Sequence, residues 1–257
     1  MVRGLYTAYT GMLNEEKRLD IISNNLANAN TVGYKQESVT SQAFQQMLTI
    51  KIRDGSNAYV DEGIGKMSLG VKIGETYTDY GQGSMRQTGN TYDLAISGKG
   101  FFQIAVKDSK GNETTEYTRN GNFKITKDGY VVDTEGNHRI GSSGYIQVPT
   151  NVSDIAIGTD GRVYADGTVI DQIQLVDFAD YDYLEKTNDI RYRAVDGATI
   201  TDATGLIEQG YTEQSNVEAV TEMVDMIAIT RAYESGQKVI NTIDDMLSKA
   251  TGQVGKV

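Results

Sequence analysis

The chain has 257 residues, 35 of them acidic against 24 basic, for a formal charge of -11, with no cysteine and no tryptophan. That length supports one large domain or two modest ones. The charge would be repelled by a phosphate backbone or an anionic membrane surface, so nucleic acid is not an expected partner. Without Cys there is no disulfide, thiolate ligand or thiol nucleophile. His138, in a turn-like Gly136-Asn137-His138 setting, is the only imidazole, so a zinc site or a Ser-His-Asp triad would rest on that one residue and neither is expected.

From the start of the chain, Met1-Val2-Arg3-Gly4-Leu5-Tyr6-Thr7 lacks the apolar run of a signal peptide, and no later stretch approaches a membrane span. Export, if it occurs, is expected by another route. Leu5, Met12, Leu19 and Leu26 recur at a stride of seven, with Ala8 or Tyr9 and Ile22 between them. This heptad seam predicts an amphipathic helix over about residues 4–28, ended by Gly33-Tyr34-Lys35. Asn24, Asn25, Asn28 and Asn30 crowd its end, although Asn competes for backbone hydrogen bonds and forms helices poorly. Two readings stay open: a fraying terminus, or amides that bond between packed subunits.

Residues 36–67 read as a connector; 51–67, with Asp54-Gly55, Gly63 and Gly65, look irregular. Residues 68–210 read as an all-β domain. Its short β-branched and aromatic runs are separated by Asn120-Gly121, Asp128-Gly129, Asp160-Gly161, Asp166-Gly167 and Asp196-Gly197, which are hairpin signals. Alternation in Phe101–Val106 and in Ile170–Val176 predicts strands with one buried face. A weak repeat matches Ile125, Asp128, Gly129, Val131 and Val132 to Ile157, Asp160, Gly161, Val163 and Tyr164, and predicts two similar hairpins.

Residues 211–257 read as helical again. Ser215-Asn216-Val217-Glu218 fits a capping box and predicts the helix start. Met226, Tyr233, Ile240 and Leu247 repeat at a stride of seven with Met223, Ile229 and Ile243 in support, up to a stop at Thr251-Gly252. The fold class is therefore α+β, with N- and C-terminal helices forming a coiled-coil-like assembly domain flanking a central all-β domain. Neither helix is stable alone in water, so each needs the other or neighbouring subunits.

Catalytic and ligand-binding readings fare poorly. The acidic turn around Asp160, Asp166 and Asp171 lacks the ligand spacing of a calcium loop, and Gly98-Lys99-Gly100 is not continued into a phosphate-binding loop. A secreted, β-rich cell-wall glycan hydrolase with a helical stalk stays as the alternative, because carboxylate pairs are decided in space. An adhesin or phage-tail-like fibre module is a third. No cofactor and no small-molecule substrate are expected.

Ser23-Asn24-Asn25-Leu26-Ala27-Asn28-Ala29-Asn30-Thr31-Val32-Gly33-Tyr34-Lys35 resembles the signature of the bacterial flagellar basal-body rod protein family. Thr88–Ile96 with Gly98–Phe102, then Tyr117–Phe123, Glu213–Val217, Glu222–Val224 and Thr230–Glu234 are similar to the same family in order and spacing. Thr230 stands where relatives usually carry Gln. Length and central segment look most like the distal-rod branch, with proximal rod subunits as neighbours. The resemblance implies a non-enzymatic subunit that self-assembles through residues 1–35 and 211–257 into the inner tube of a rigid drive shaft. Leu5, Met12, Leu19, Ile22, Asn24, Asn25, Leu26, Asn28, Asn30, Met226, Arg231, Tyr233, Ile240, Ile243 and Leu247 would pack the subunits. It also implies a site in the basal body outside the cytoplasmic membrane, export by the flagellar type III apparatus without a cleaved signal, and other axial proteins, proximal rod and hook, as partners.

Overall fold

The computed structural model describes residues 2–45, 47–50, 63–107, 111–149, 152 and 154–254. The chain divides into two compact units, Met1–Leu26 with Glu37–Asp79 and Glu218–Val257, and Ala27–Gln36 with Tyr80–Val217.

In the first unit α1 (Val2–Ala27) and α2 (Ala219–Lys249) pack antiparallel. Gly4 lies beside Ile243, Gly236 beside Met12, and the Asn25 amide reaches the Glu222 carboxylate. At 26 and 31 residues the helices are about 39 and 46 Å long. Along α2 the covered residues Met226, Ile229, Gly236, Ile240, Ile243 and Leu247 follow three-four spacing, so the expected row at a stride of seven is one half of the seam. Ile229 and Ile243 supply its more buried half. Gly236 is needed for the approach: a Cβ there would stand 2.7 Å from Met12 Cγ, a gain that offsets the helix-propensity cost of about 1 kcal/mol for an interior Gly.

The start of α2 corrects the capping-box reading. The helix begins at Ala219 behind Glu218, which makes no side-chain cap bond. Ser215 Oγ instead accepts from Val217 N two residues on, and the Glu218 carboxylate accepts from Thr221 Oγ1. The serine is spent on a local turn, so the helix starts later.

The connector expected over 36–67 contains strands, one of which, Gly63–Met67, falls in the part expected to be irregular, 51–67. Glu37–Ala43 pairs antiparallel with Val71–Thr78, and Met47–Ile50 with Gly63–Met67. Asp54-Gly55 lies outside the described residues. The ribbon is hard to see in sequence because Thr40 to Ala43 are all exposed and no apolar alternation marks them. It lies against α1, where Ser41 Oγ donates to Asn14 Oδ1 (3.0 Å) and Gly70, at φ +136°, leaves no room for a Cβ beneath Thr10.

In the second unit the main sheet runs Leu184–Asn188, Arg191–Ala194, Glu113–Thr118, Phe101–Lys107, His138–Gly141, Val131–Val132, Lys124–Ile125. Leu175–Phe178 shares an edge of Phe101–Lys107 and carries Ile200–Asp202 beyond it. Phe102 and Ile104 enter one core with Leu94, Phe123, Ile146 and Ile207, while Phe101 enters a second with Tyr117, Val176, Phe178 and Tyr192. Both faces of this strand are thus covered at its start, where one was expected. Ile170–Val176 also differs from expectation: it splits into Thr168–Gln172 and Leu175–Phe178, parted by Ile173, which bridges Gly141.

The repeat is real in three dimensions. Ile125 pairs with Val131 and Ile157 with Val163. Thr126 N bonds Tyr130 O as Gly158 N bonds Arg162 O, and Gly129 N bonds Thr126 O as Gly161 N bonds Gly158 O. Asp166-Gly167 turns between Arg162–Ala165 and Thr168–Gln172 with both residues at positive φ, 47° and 83°, as a type I′ hairpin requires. Asn120-Gly121 is not a hairpin. Asn120 Oδ1 caps Asn122 N, and Gly121 is the contact point under Leu94 O. His138 opens a strand instead of sitting in a turn, and its ring stacks on Tyr145 at 4.6 Å.

Candidate functional site: helix faces and a buried ion triad

Among the residues expected to pack subunits, Leu5, Met12, Leu19, Ile22, Leu26, Met226, Ile240 and Leu247 are half-buried and Ile243 is buried, on the sides where the two helices of one chain meet. Tyr233 sits at the rim and Arg231 is exposed. Met223, expected to support the seam, is half exposed and faces away from it. Thr230 Oγ1 donates to Met226 O, a bond within the helix.

The asparagines divide. Asn25 is buried, with Nδ2 donating to Glu37 O (2.8 Å) and Oδ1 accepting from Glu37 N (3.0 Å), so both amide ends hold the start of the ribbon inside the same chain. Asn28 Oδ1 accepts from Thr31 Oγ1 in the turn after α1. Asn24 is half-buried and Asn30 exposed.

Sequence reasoning missed a second apolar face on each helix. Val220 (70% exposed), Met223, Val224 (59%) and Ile227 (55%) are spaced three, four and seven apart, and at 100° per residue they lie on the side of α2 opposite the seam. Tyr6, Tyr9 and Leu13 form the matching stripe on α1, turned away from its own seam. The signal was available in the same spacing rule; the stride-seven rows drew attention to one face only.

Within the second unit, a fully buried ion network joins three separated pieces of chain. The Glu213 carboxylate accepts from Lys35 Nζ (2.5 Å), Arg119 Nη1 (3.2 Å) and the Gly83 N–H (3.0 Å). Lys35 Nζ also donates to Gly81 O, and Arg119 Nη2 to Gly98 O. Lys35 and Glu213 are 0% exposed and Arg119 3%. The backbone is pinned at the same point: Gly33 N donates to Glu213 O, and Gly33, at φ +73°, packs so closely on Asn120 that a Cβ would stand 2.4 Å from its nitrogen. In this setting each charge is paired and hydrogen-bonded, the condition under which buried charge is tolerable, although Arg119 Nε is buried with no hydrogen-bond partner among the described residues. The arrangement fixes where the chain enters and leaves the β body.

Three family profiles match segments that each supply one member of the triad. "Flagella basal body rod protein" covers residues 5–35, "Flagellar hook protein FlgE/F/G D1 domain" 95–165, and "Flagellar basal body rod FlgEFG protein C-terminal" 208–252. Over its length the chain is 36% identical to the flagellar basal-body rod protein FlgG of Bacillus subtilis, covering 97% of this chain and 98% of the relative. It is 37% identical to FlgG of Caulobacter vibrioides, covering 98% and 99%. The chain belongs to the flagellar basal-body rod protein family. Against FlgF of the same Caulobacter the identity is 32%, over 100% of both. As a rod protein it is structural and FlgG-like over its full length, located in the basal-body rod as part of the flagellar axial structure. The glycan-hydrolase alternative falls with that membership. The rod signature's Lys35, the Arg119 of Tyr117–Phe123 and the Glu213 of Glu213–Val217 are thus brought to one buried point.

Proposed function

We propose that this rod protein is a distal-rod subunit that self-assembles through residues 1–35 and 211–257 into a rigid inner tube, with the central β-rich segment outside. The observation that carries the reading is the double amphipathicity of both helices. One face is covered by the other helix of the same chain; the opposite face, Val220, Met223, Val224 and Ile227 on α2 and Tyr6, Tyr9 and Leu13 on α1, is exposed among the described residues. A contiguous exposed apolar stripe of this kind favours association, and copies joined head to tail without closing a ring build a helical filament. Leu5, Met12, Leu19, Ile22, Leu26, Met226, Tyr233, Ile240, Ile243 and Leu247 set the helix pair that presents these stripes; Arg231 and Asn30 are exposed and free to meet a neighbouring subunit. Asn24, Asn25 and Asn28 order the chain where α1 ends.

The partners are further copies, the proximal rod and hook proteins along the axis, and the flagellar export apparatus, which delivers the chain without a cleaved signal to a position outside the cytoplasmic membrane. Support for the distal assignment is the higher identity to FlgG than to FlgF within one organism. The test is electron microscopy and pelleting of concentrated protein: the wild type forms thin tubes, and Val224→Asp or Ile227→Asp abolishes them with thermal stability unchanged. Normal tubes from both variants would refute the proposed interface. Leu19→Asp or Ile240→Asp also blocks assembly, but by separating the helix pair, so these lose stability as well.

A further inference from the structure

Five residue pairs among the described residues have the chemistry to close a succinimide: Asn120-Gly121, Asp128-Gly129, Asp160-Gly161, Asp166-Gly167 and Asp196-Gly197. Ring closure requires the glycine nitrogen to attack the side-chain carbonyl carbon of the preceding residue. It is slowed when that N–H is engaged in a hydrogen bond, when the side chain is held elsewhere, or when the turn is buried.

Four of the five are restrained. Asn120 is buried and its Oδ1 accepts from Asn122 N. Gly129 is buried and its N–H donates to Thr126 O. Gly161 N donates to Gly158 O, while Asp160 is held by Arg162 through its main-chain N–H and its Nε at 3.2 Å. Asp166 Oδ1 accepts from Asp154 N inside a two-residue hairpin. Asp196-Gly197 differs on every count. Both residues are exposed at the tip of the turn Val195–Ala198, closed by Ala198 N to Val195 O at 3.0 Å. Among the described residues, neither the Asp196 carboxylate nor the Gly197 N–H has a hydrogen-bond partner.

We propose that Asp196 is a site of spontaneous isoaspartate formation in the folded chain. Gly197 N bonds to Asp196 Cγ, and the amide proton leaves with the carboxyl OH as one water. Water then adds to the succinimide at the former main-chain carbonyl and breaks its bond to nitrogen. The product backbone runs through Cγ with a free α-carboxylate, so the formal charge is unchanged while the turn between Arg191–Ala194 and Ile200–Asp202 gains one carbon. That added carbon displaces Val195 O from Ala198 N, so the damage falls on the loop and not on the core.

The test is ageing of the purified full-length chain at neutral pH and physiological temperature, in buffer and in concentrated urea, followed by peptide mapping. A protein isoaspartyl methyltransferase with labelled S-adenosylmethionine serves as the probe. In buffer, isoaspartate accumulates at position 196 several-fold faster than at 128, 160 or 166; in urea the four positions become comparable, because only the fold restrains the other three. Equal rates in buffer, or another of the three leading, would overturn the proposal. Gly197→Ala lowers the label recovered from this peptide several-fold, and an unchanged yield from that variant would also overturn it.

Discussion

Replacing Glu213 by Gln keeps the shape of the side chain and removes the one negative charge between Lys35 and Arg119. The variant leaves two cations at 0% and 3% exposure facing an amide. Its NH₂ group must also oppose a donor, since one carboxylate oxygen receives both Lys35 Nζ and Gly83 N, and the other receives Arg119 Nη1. Breaking a buried pair by removing one partner costs about 3–5 kcal/mol, and here one anion serves two cations and a backbone N–H, which places the loss at the upper end. With a urea m-value of about 2–3 kcal/mol/M, the unfolding midpoint of the unit containing Glu213 falls by roughly 2 M. The chain has 16 Tyr and no Trp, so tyrosine fluorescence and far-ultraviolet circular dichroism follow the transition. The exposed pair Lys107–Glu113, at 3.1 Å, is the control, and its loss leaves the midpoint in place. A Glu213→Gln midpoint within experimental error of the wild type would show that the triad does not hold the chain at this point.

Other consequences follow from single environments. Arg139 is fully buried, its guanidinium 3.9 Å over Phe102 and 4.4 Å over Phe123, with no hydrogen-bond partner for its three nitrogens among the described residues, and burial pushes its pKa well below the usual value. Arg139→Met, of similar reach and apolar, stabilises the chain by about 1–4 kcal/mol in urea unfolding; a loss of stability would mean that the stacked cation contributes more than its desolvation costs. Gly33→Ala meets both the positive φ and the Asn120 backbone and destabilises by at least about 1–3 kcal/mol, whereas a neutral result would contradict the close contact. Burial and then the hydrogen bond to Asp177 push the Tyr181 hydroxyl up to about 12. A group whose folded pKa is raised contributes stability that is present below its unfolded value, near 10, and is lost as pH climbs through the folded one. The stability difference between wild type and Tyr181→Phe is therefore constant below about pH 9 and shrinks toward pH 12; a difference that widens with pH would reverse the sign.

Periodicity revealed both terminal helices, because heptad spacing survives whatever partner covers the seam. It could not say how many partners there were: Leu19 and Ile240 satisfy a pair of helices within one chain as well as they satisfy a bundle. The outward stripe of Val220, Val224 and Ile227 is what separates the two cases. Asp166-Gly167 was readable since the type I′ turn demands those residues locally, while Asn120-Gly121, an equally strong hairpin signal, has its glycine for a different reason, a close backbone approach imposed by Leu94. The strand Glu37–Ala43 was illegible because its second half is exposed and no apolar alternation marks it, whereas Val71–Thr78, with Val71, Ile73 and Tyr77 in alternation, fell inside the expected β segment. The triad lay hidden in plain motifs: Lys35, Arg119 and Glu213 are 84 and 94 residues apart in sequence, and no local rule links a buried Lys to a distant Glu.

Because the chain contains no cysteine, a single introduced thiol reads one position without background. Val224→Cys places it on the outward face of α2, where the wild-type side chain is 59% exposed. Maleimide labelling of this variant, as dilute monomer and as assembled tubes, tests the subunit interface directly. The account predicts fast labelling in the monomer and protection of at least tenfold, about 1.4 kcal/mol, in the tube. Equal labelling rates in the two states would contradict it.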